Sequence, residues 1–421
     1  MKTFKRLALM YAGMLATFTA LIILVFCLPA KPIKKHVAES ARQVSEEGVW
    51  WKPCGVFLFQ VDNMTDCIMM GISACDNQKS PLRAAMLDER AVPADDADLD
   101  LGCYHIDRML YDDATGSHRY HAVYSNYARY WHGYQVVLRP MLSVMNYSQI
   151  RVVNYVALTL LALIVALMLY KRAGTWVAAS FVATLVVGNF MVVPLAMQFC
   201  TCFYIAFVAM IVFLARPACL QTTTNRILSF FTIGAVCSYM DFLTTPVLTL
   251  GMPIVALWLI DKRLRFVDMA KCCMAWLGGY ALLWASKWGL AWLLTGYNTV
   301  GDALHSAETR VGSTIIYGGK EMPITSLLAI ATDKIGAYVS VHALIAVAVV
   351  AAVATSALVV RKRKTLRQNI CLVAVALMPL IWFAVMKNHS IQHIFFTWRD
   401  WFLTLWAVLL LIQPKLKPRK P

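Results

Sequence analysis

An all-α polytopic membrane protein of about ten transmembrane helices, with a large first extracytoplasmic loop, is the fold class that the sequence predicts. Three observations carry it. The chain of 421 residues is 60% hydrophobic and only 15% charged, a balance that no water-soluble domain of this length keeps on its surface. Ten segments approach the roughly 20 apolar residues needed to cross about 30 Å of hydrocarbon. The basic clusters then fall between those segments with a consistent sidedness.

The expected spans are 8–29, 152–170, 176–195, 199–215, 227–242, 245–260, 270–294, 339–360, 369–386 and 400–413. The first follows MKTFKR and could pass for a signal peptide, but its apolar core LIILVFCLPA runs on to KPIKK, longer than an ordinary signal core. It is therefore expected to stay as an anchoring helix. With the N-terminus inside, MKTFKR, Lys171 with Arg172, Arg216 with Arg226, 262-KRLR-265, 361-RKRKTLR-367 and 415-KLKPRK-420 all become cytoplasmic. The net charge of +16 thus reports topology and contact with anionic membrane lipids, not nucleic acid.

Five parts follow along the chain. Residues 1–29 hold the first helix, and 30–151 form an extracytoplasmic module with interfacial helices. Residues 152–294 carry spans two to seven, 295–338 a second outer loop, and 339–421 spans eight to ten with a basic cytoplasmic tail. The first outer loop is too long to be a bare connection. It contains WWKPCGVFLFQ, VDNMTD, the acidic strip 95-DDADLD-100 and an aromatic run from Tyr127 to Met145 that suits a helix lying in the interface. Cys54, Cys67, Cys75 and Cys103 lie there, where an oxidising exterior permits disulfides; three pairings, or free thiols, fit the sequence equally. No CxxC pair, zinc-site spacing, Walker, Rossmann or HExxH motif occurs.

Burying a charge in hydrocarbon costs several kcal/mol unless it is paired or wet, so the ionisable residues near the spans are informative. Those that stand out fall on the outer side. Asp62 and Asp66 are four apart, which on a helix places them on one face as a carboxylate base beside a second acid, or else makes them the helix start and its dipole partner. Lys287 sits among Trp284, Trp288 and Trp292, either snorkelling or waiting for a lipid phosphate. His389 and His393, again four apart, lack the Glu of a zinc site and with Arg399 suit a phosphate better than a metal. Tyr130, His132 and Arg139 are interfacial anchors or substrate-binding groups. Asp241, at the tip of an apolar hairpin, is solvated or else pairs with Arg or sugar hydroxyls.

The arrangement resembles the GT-C class of integral-membrane glycosyltransferases, which take a sugar from a polyprenyl-phosphate carrier at the outer leaflet. Strings similar to Asp62-Asn63-x-Thr65-Asp66, Tyr130-Trp131-His132-Gly133-Tyr134, Asp241-Phe242-Leu243-Thr244-Thr245-Pro246 and Asn388-His389-Ser390 are also familiar in bacterial polytopic membrane proteins. The resemblance implies that Asp62 or Asp66 is the base that deprotonates a glycan, lipid or protein acceptor, and that Lys287, His389, His393 and Arg399 stabilise the departing phosphate. It implies inversion at the anomeric carbon and no nucleotide cofactor; a divalent metal is compatible with it. A transporter or flippase for lipid-linked sugars would instead show repeats and midplane charges, a polysaccharide polymerase or ligase would share the outer site, and a scaffold would leave the polar cluster without a task.

Overall fold

The computed structural model describes residues 2–56, 59–75, 80–93, 122–311, 315–317, 320–326, 329–330 and 366–413. The expected span 339–360, the acidic strip 95–100, Cys103 and the tail 415–420 lie outside the described residues, as does most of the 361–367 basic cluster.

The protein is built almost wholly of helices. In chain order they are α1 (Lys2–Phe26), α2 (Ala30–Glu47), α3 (Asn63–Ala74), α4 (Pro81–Leu87), α5 (Gln135–Leu142), α6 (Tyr147–Ala173), α7 (Thr175–Val187) and α8 (Met197–Ala215). Then follow α9 (Thr223–Met240), α10 (Pro246–Ile260), α11 (Phe266–Thr295), α12 (Thr299–Val311), α13 (Leu366–Val385), α14 (Lys387–Gln392), α15 (Ile394–Thr397) and α16 (Phe402–Leu411). Two small antiparallel pairs interrupt them, β1 (Arg90–Pro93) with β2 (Ala122–Ser125) and β3 (Ile315–Tyr317) with β4 (Lys320–Met322).

Six helical segments among the described residues are long and apolar enough to cross a membrane: Thr3–Phe26, Tyr147–Ala173, Met197–Ala215, Phe266–Thr295, Gln368–Val385 and Ile394–Leu411. α7 and α10 are apolar but shorter. Two expectations about local structure need correcting. The segment 176–195 is not one helix: α7 stops at Val187, Asn189 takes a left-handed φ of 56°, and Phe190–Leu195 continues as a 3-10 turn containing Pro194. The aromatic run from Tyr127 to Met145 is helical only at α5. Upstream, Gly133 donates its amide to the Tyr239 carbonyl at 2.8 Å, and a Cβ there would lie 2.4 Å from the Tyr239 ring. Tertiary docking, not interfacial amphipathicity, decides that stretch.

The helix starts are written locally. The Asn146 side chain accepts from the Gln149 amide and Gln149 reaches back, closing a capping box at α6; Thr222 caps α9 in the simpler form. α9 and α11 pack most closely, because glycine on each lets the backbones approach. A Cβ on Gly234 would lie 2.0 Å from the Trp276 carbonyl oxygen, and one on Gly279 would lie 2.1 Å from that of Phe231. Gly278, one residue away, has open space. Gly279→Ala is therefore expected to lower stability by about 1–3 kcal/mol, while Gly278→Ala leaves the thermal midpoint in detergent unchanged.

Around this pair the core is aromatic. Phe181, Phe190, Phe203, Phe207, Phe402 and Trp406 join α7, α8 and α16 by ring contacts 5.2–5.9 Å apart. α1 seals the flank. Its buried Ile22, Val25 and Phe26 meet Trp131, Tyr239 and Leu283, and its Phe18 ring stacks on Tyr239 at 4.2 Å.

Candidate functional site

The polar residues collect where α3 and the loops at 127–134, 241–245 and 386–400 meet the first turn of α8. α8 begins at Met197 with Ala196 before it, so it has no side-chain cap of its own. Asp66 provides one from α3: its carboxylate accepts the amides of Met197 and Gln198 at 3.2 and 3.3 Å and the hydroxyl of Tyr147. An acid there also faces the positive end of the helix dipole. Asp62 caps α3 itself. It accepts from the Thr65 amide at 3.1 Å, from the Thr65 hydroxyl at 2.5 Å and from Gln198 Nε2 at 2.6 Å.

Both acids are buried, each at 1% exposure. Burial raises the Asp62 carboxyl above its ordinary range against the pull of Gln198 and Thr65. Burial likewise pushes Asp66 up to about 7, opposed by Tyr147 and by the Arg151 charge and reinforced by Asp62. Arg151 completes this corner. It donates to both Glu47 carboxylate oxygens at 2.7 and 2.9 Å, to Asn63 Oδ1 at 2.9 Å and to the Leu195 carbonyl at 2.8 Å.

On the next face of the α8 turn, Thr201 donates to Asp241 at 3.0 Å. Asp241 also accepts the Thr244 amide at 2.9 Å and the Thr244 hydroxyl, which closes the 241–244 turn. That turn is strained, since Leu243 holds a φ of 70° that branched side chains rarely adopt. Two neighbours fix it. His389 donates from Nε2 to the Leu243 carbonyl at 2.7 Å, and Phe242 is ringed by Tyr130, His132 and Tyr134 at 5.8–6.1 Å.

His393 stands 4.7 Å from the His389 ring and stacks on Phe396. Arg399 lays its guanidinium 4.0 Å from the Phe199 ring, one residue from Gln198, and donates to the Phe395 carbonyl at 3.0 Å. The two expected halves, Asp62 with Asp66 and His389 with His393 and Arg399, thus meet across the first turn of α8. All four quoted strings enter the same assembly.

Three expected residues have other partners. Lys287 is fully buried and donates to Asp88 at 2.7 Å and to the Ala85 carbonyl at 3.2 Å, with its ammonium 5.5 Å from the Trp131 ring. It joins α11 to α4, neither snorkelling to water nor standing open to a phosphate. Arg139 donates to the carbonyls of Val25 at 2.9 Å and of Ser73, so it sits at the C-terminal ends of α1 and α3 with Phe26 under its guanidinium.

His132 donates from Nε2 to the Tyr127 carbonyl at 3.0 Å, which leaves Nδ1 to accept the Tyr134 hydroxyl at 2.8 Å. Burial, with the Lys287 charge next, depresses it to about 3, so it is a neutral hydrogen-bonding group at physiological pH. Tyr130 stacks on Trp284, with 5.9 Å between centroids and 9° between planes.

Asp88, Gln198, Tyr147 and Arg151 were not legible as partners, because each lies 44 or more residues from the groups it serves. Nor did the sequence bring together Cys202 and Cys237, which with Asp241 place one ligand atom each within 4.8 Å of one another. Among the loop cysteines, Cys67 is disulfide-bonded and Cys54 is free. Comparison with known proteins gives no match, whether to family models, to curated proteins or to solved structures.

Proposed function

We propose that the protein is a membrane glycosyltransferase that moves a sugar from a polyprenyl-phosphate carrier to an extracytoplasmic glycan, lipid or protein acceptor. One observation carries this reading: acids of the 30–151 module and the His389–Arg399 segment converge on the first turn of α8. Asp66 is the proposed base, since a carboxyl held at about 7 can accept a proton near neutral pH and still leave as the anion. Asp62 is assigned to holding α3, Gln198 and Asp66 in place. Arg399, with His389 and His393, lies where a departing lipid phosphate would need positive or donor groups, and Asp241 with Tyr130 would line the sugar side.

Six described helices are long and apolar enough to cross a membrane; α7, α9 and α10 together with 339–360 would bring the number to ten, in the GT-C manner. The disulfide at Cys67 supports an oxidising, extracytoplasmic side for the module. Purified protein in liposomes of anionic lipid is expected to transfer labelled sugar from a polyprenyl-phosphate donor to an endogenous lipid or glycan acceptor. Failure across a panel of polyprenyl-phosphate sugars would remove the reading.

A second reading, an ion-coupled transporter or flippase, has one observation of its own. Asp400 is wholly buried beside Asp241; the Leu248 amide lies near it, yet neither carboxylate oxygen meets hydrogen-bond geometry. Buried acids of this kind serve ion pathways. Movement of a labelled lipid-linked sugar between leaflets that depends on a proton gradient, with no bond broken, would select it.

A further inference from the structure

We propose that Cys202, Cys237 and Asp241 form a binding site for one thiophilic divalent metal ion of the zinc class, at the junction of α8, α9 and the 241–246 turn. Among the described residues this is the one group of three Cys, His, Asp or Glu side chains whose ligand atoms all lie within 4.8 Å of one another. A tetrahedral site with bonds of roughly 2.0–2.3 Å has ligand–ligand edges of roughly 3.4–3.8 Å. The three ligand atoms, within 4.8 Å of one another, would draw together by about 1 Å to close on the ion.

The three ligands come from positions that are held independently. Cys237 and Asp241 are one helical turn apart, Asp241 being the residue that ends α9. Cys202 projects from α8 one residue beyond Thr201, whose hydroxyl orients Asp241 at 3.0 Å. Thr244 fixes the same carboxylate through its amide and hydroxyl, and its Oγ1 lies 3.6 Å from the Cys202 sulfur. Thr201 and Thr244 therefore stand as the outer-shell groups that orient a ligating carboxylate. A water would complete four-coordination.

The donor set decides the ion. Two thiolates and a carboxylate favour Zn²⁺ over Mg²⁺ or Ca²⁺, which take oxygen. Three negative ligands around a divalent ion leave a net charge of minus one where three separate anions would not be tolerated. On binding, each thiol loses its proton to solvent as the metal–sulfur bond forms, so affinity rises with pH. The site would tie the strained 241–244 turn to both helices and would take Asp241 for the metal, leaving Tyr130 on the sugar side proposed above; metal binding is read without sugar transfer. The bland alternative is that the two thiols are small apolar groups packed beside a hydrogen-bonded acid.

Co²⁺ is the probe. Added to the detergent-purified, reduced full chain, it is expected to give thiolate-to-metal charge-transfer absorption and tetrahedral visible bands at one equivalent, displaced by Zn²⁺. Cys200 is the internal control, since its sulfur donates to the Val193 and Ala196 carbonyls at 3.2 and 3.1 Å. Cys200→Ser should keep the spectrum. The Cys202→Ser/Cys237→Ser double variant should lose it, and Thr244→Ala should weaken binding by roughly 10–100-fold. No charge-transfer band in the folded wild-type protein would overturn the proposal. So would a band that survives in the double variant, or a Cys202–Cys237 disulfide found by mass spectrometry in protein purified without reductant.

Discussion

Asp66→Asn is expected to reduce sugar transfer by about 100-fold or more while leaving the protein folded. The loss follows from the range over which general acid–base catalysis contributes. Folding should survive because the Asn carbonyl can take the place of Oδ1 and accept the Gln198 amide, Nδ2 in place of Oδ2 can donate to the Tyr147 hydroxyl oxygen, and the Met197 amide keeps that oxygen as an acceptor at 3.0 Å. The pH dependence separates base from cap. Asp66 is held at about 7 in the folded chain against an ordinary 3.8, so between those values the folded state carries a proton that the unfolded state has released.

Stability from this group is then full below pH 4 and is lost as pH rises through 7, by on the order of a few kcal/mol. Activity runs the other way, because the base must be ionised: kcat/KM should climb about tenfold per pH unit below 7 and flatten above it. Asp66→Asn should abolish the rise in activity and flatten the part of the thermal-midpoint fall that occurs between pH 4 and 7. Unchanged transfer in the variant would remove Asp66 as base. A wild-type midpoint that does not fall over that window would show that the carboxyl is not held in its neutral form.

The local features of this site were legible in the sequence and the remote ones were not. Asp62 as a helix cap needs only Thr65 three residues on, whose amide its side chain accepts. The second half of the same string behaves differently. Asp66 was expected to serve the dipole of its own helix, yet it serves that of α8, 131 residues away, because Ala196 leaves that helix uncapped. The strings at 130–134, 239–246 and 388–390 were visible as polar islands in apolar sequence. That they touch each other depends on the Phe242 cage and the His389 contact to Leu243, which no spacing encodes. Periodicity also placed helices well where they are regular. It overran at 188–195, where Asn189 turns the chain through a left-handed conformation.

Lys287→Met is expected to destabilise the protein by about 3–5 kcal/mol, the largest stability effect of any single change considered, because it strands Asp88. Both side chains are wholly buried, and their 2.7 Å contact joins α11 to the αL residue that ends α4. One Asp88 oxygen already lacks a hydrogen bond, so the pair depends on its single charge contact and on the Ala85 carbonyl. Removing one member leaves an uncompensated charge in an apolar setting, whereas replacing both leaves none. Asp88→Asn/Lys287→Met, which keeps a side chain that tolerates the φ of 51° at this position and carries no charge, should therefore recover most of the lost thermal stability.

The double variant also decides what Lys287 is for. If the pair is architectural, transfer returns with stability, since Trp131 and Ala85 still pack against α11. If Lys287 leaves Asp88 to meet a lipid phosphate during turnover, the double variant is stable but transfers poorly, and the defect appears in KM for the polyprenyl-phosphate donor. The buried ammonium, bonded to Asp88 and to the Ala85 carbonyl, favours the first outcome, in which the proposed phosphate-binding role would rest on Arg399 and the two histidines. Normal stability in Lys287→Met alone would mean that Asp88 is accommodated as the neutral acid, with the ion pair adding little to the fold.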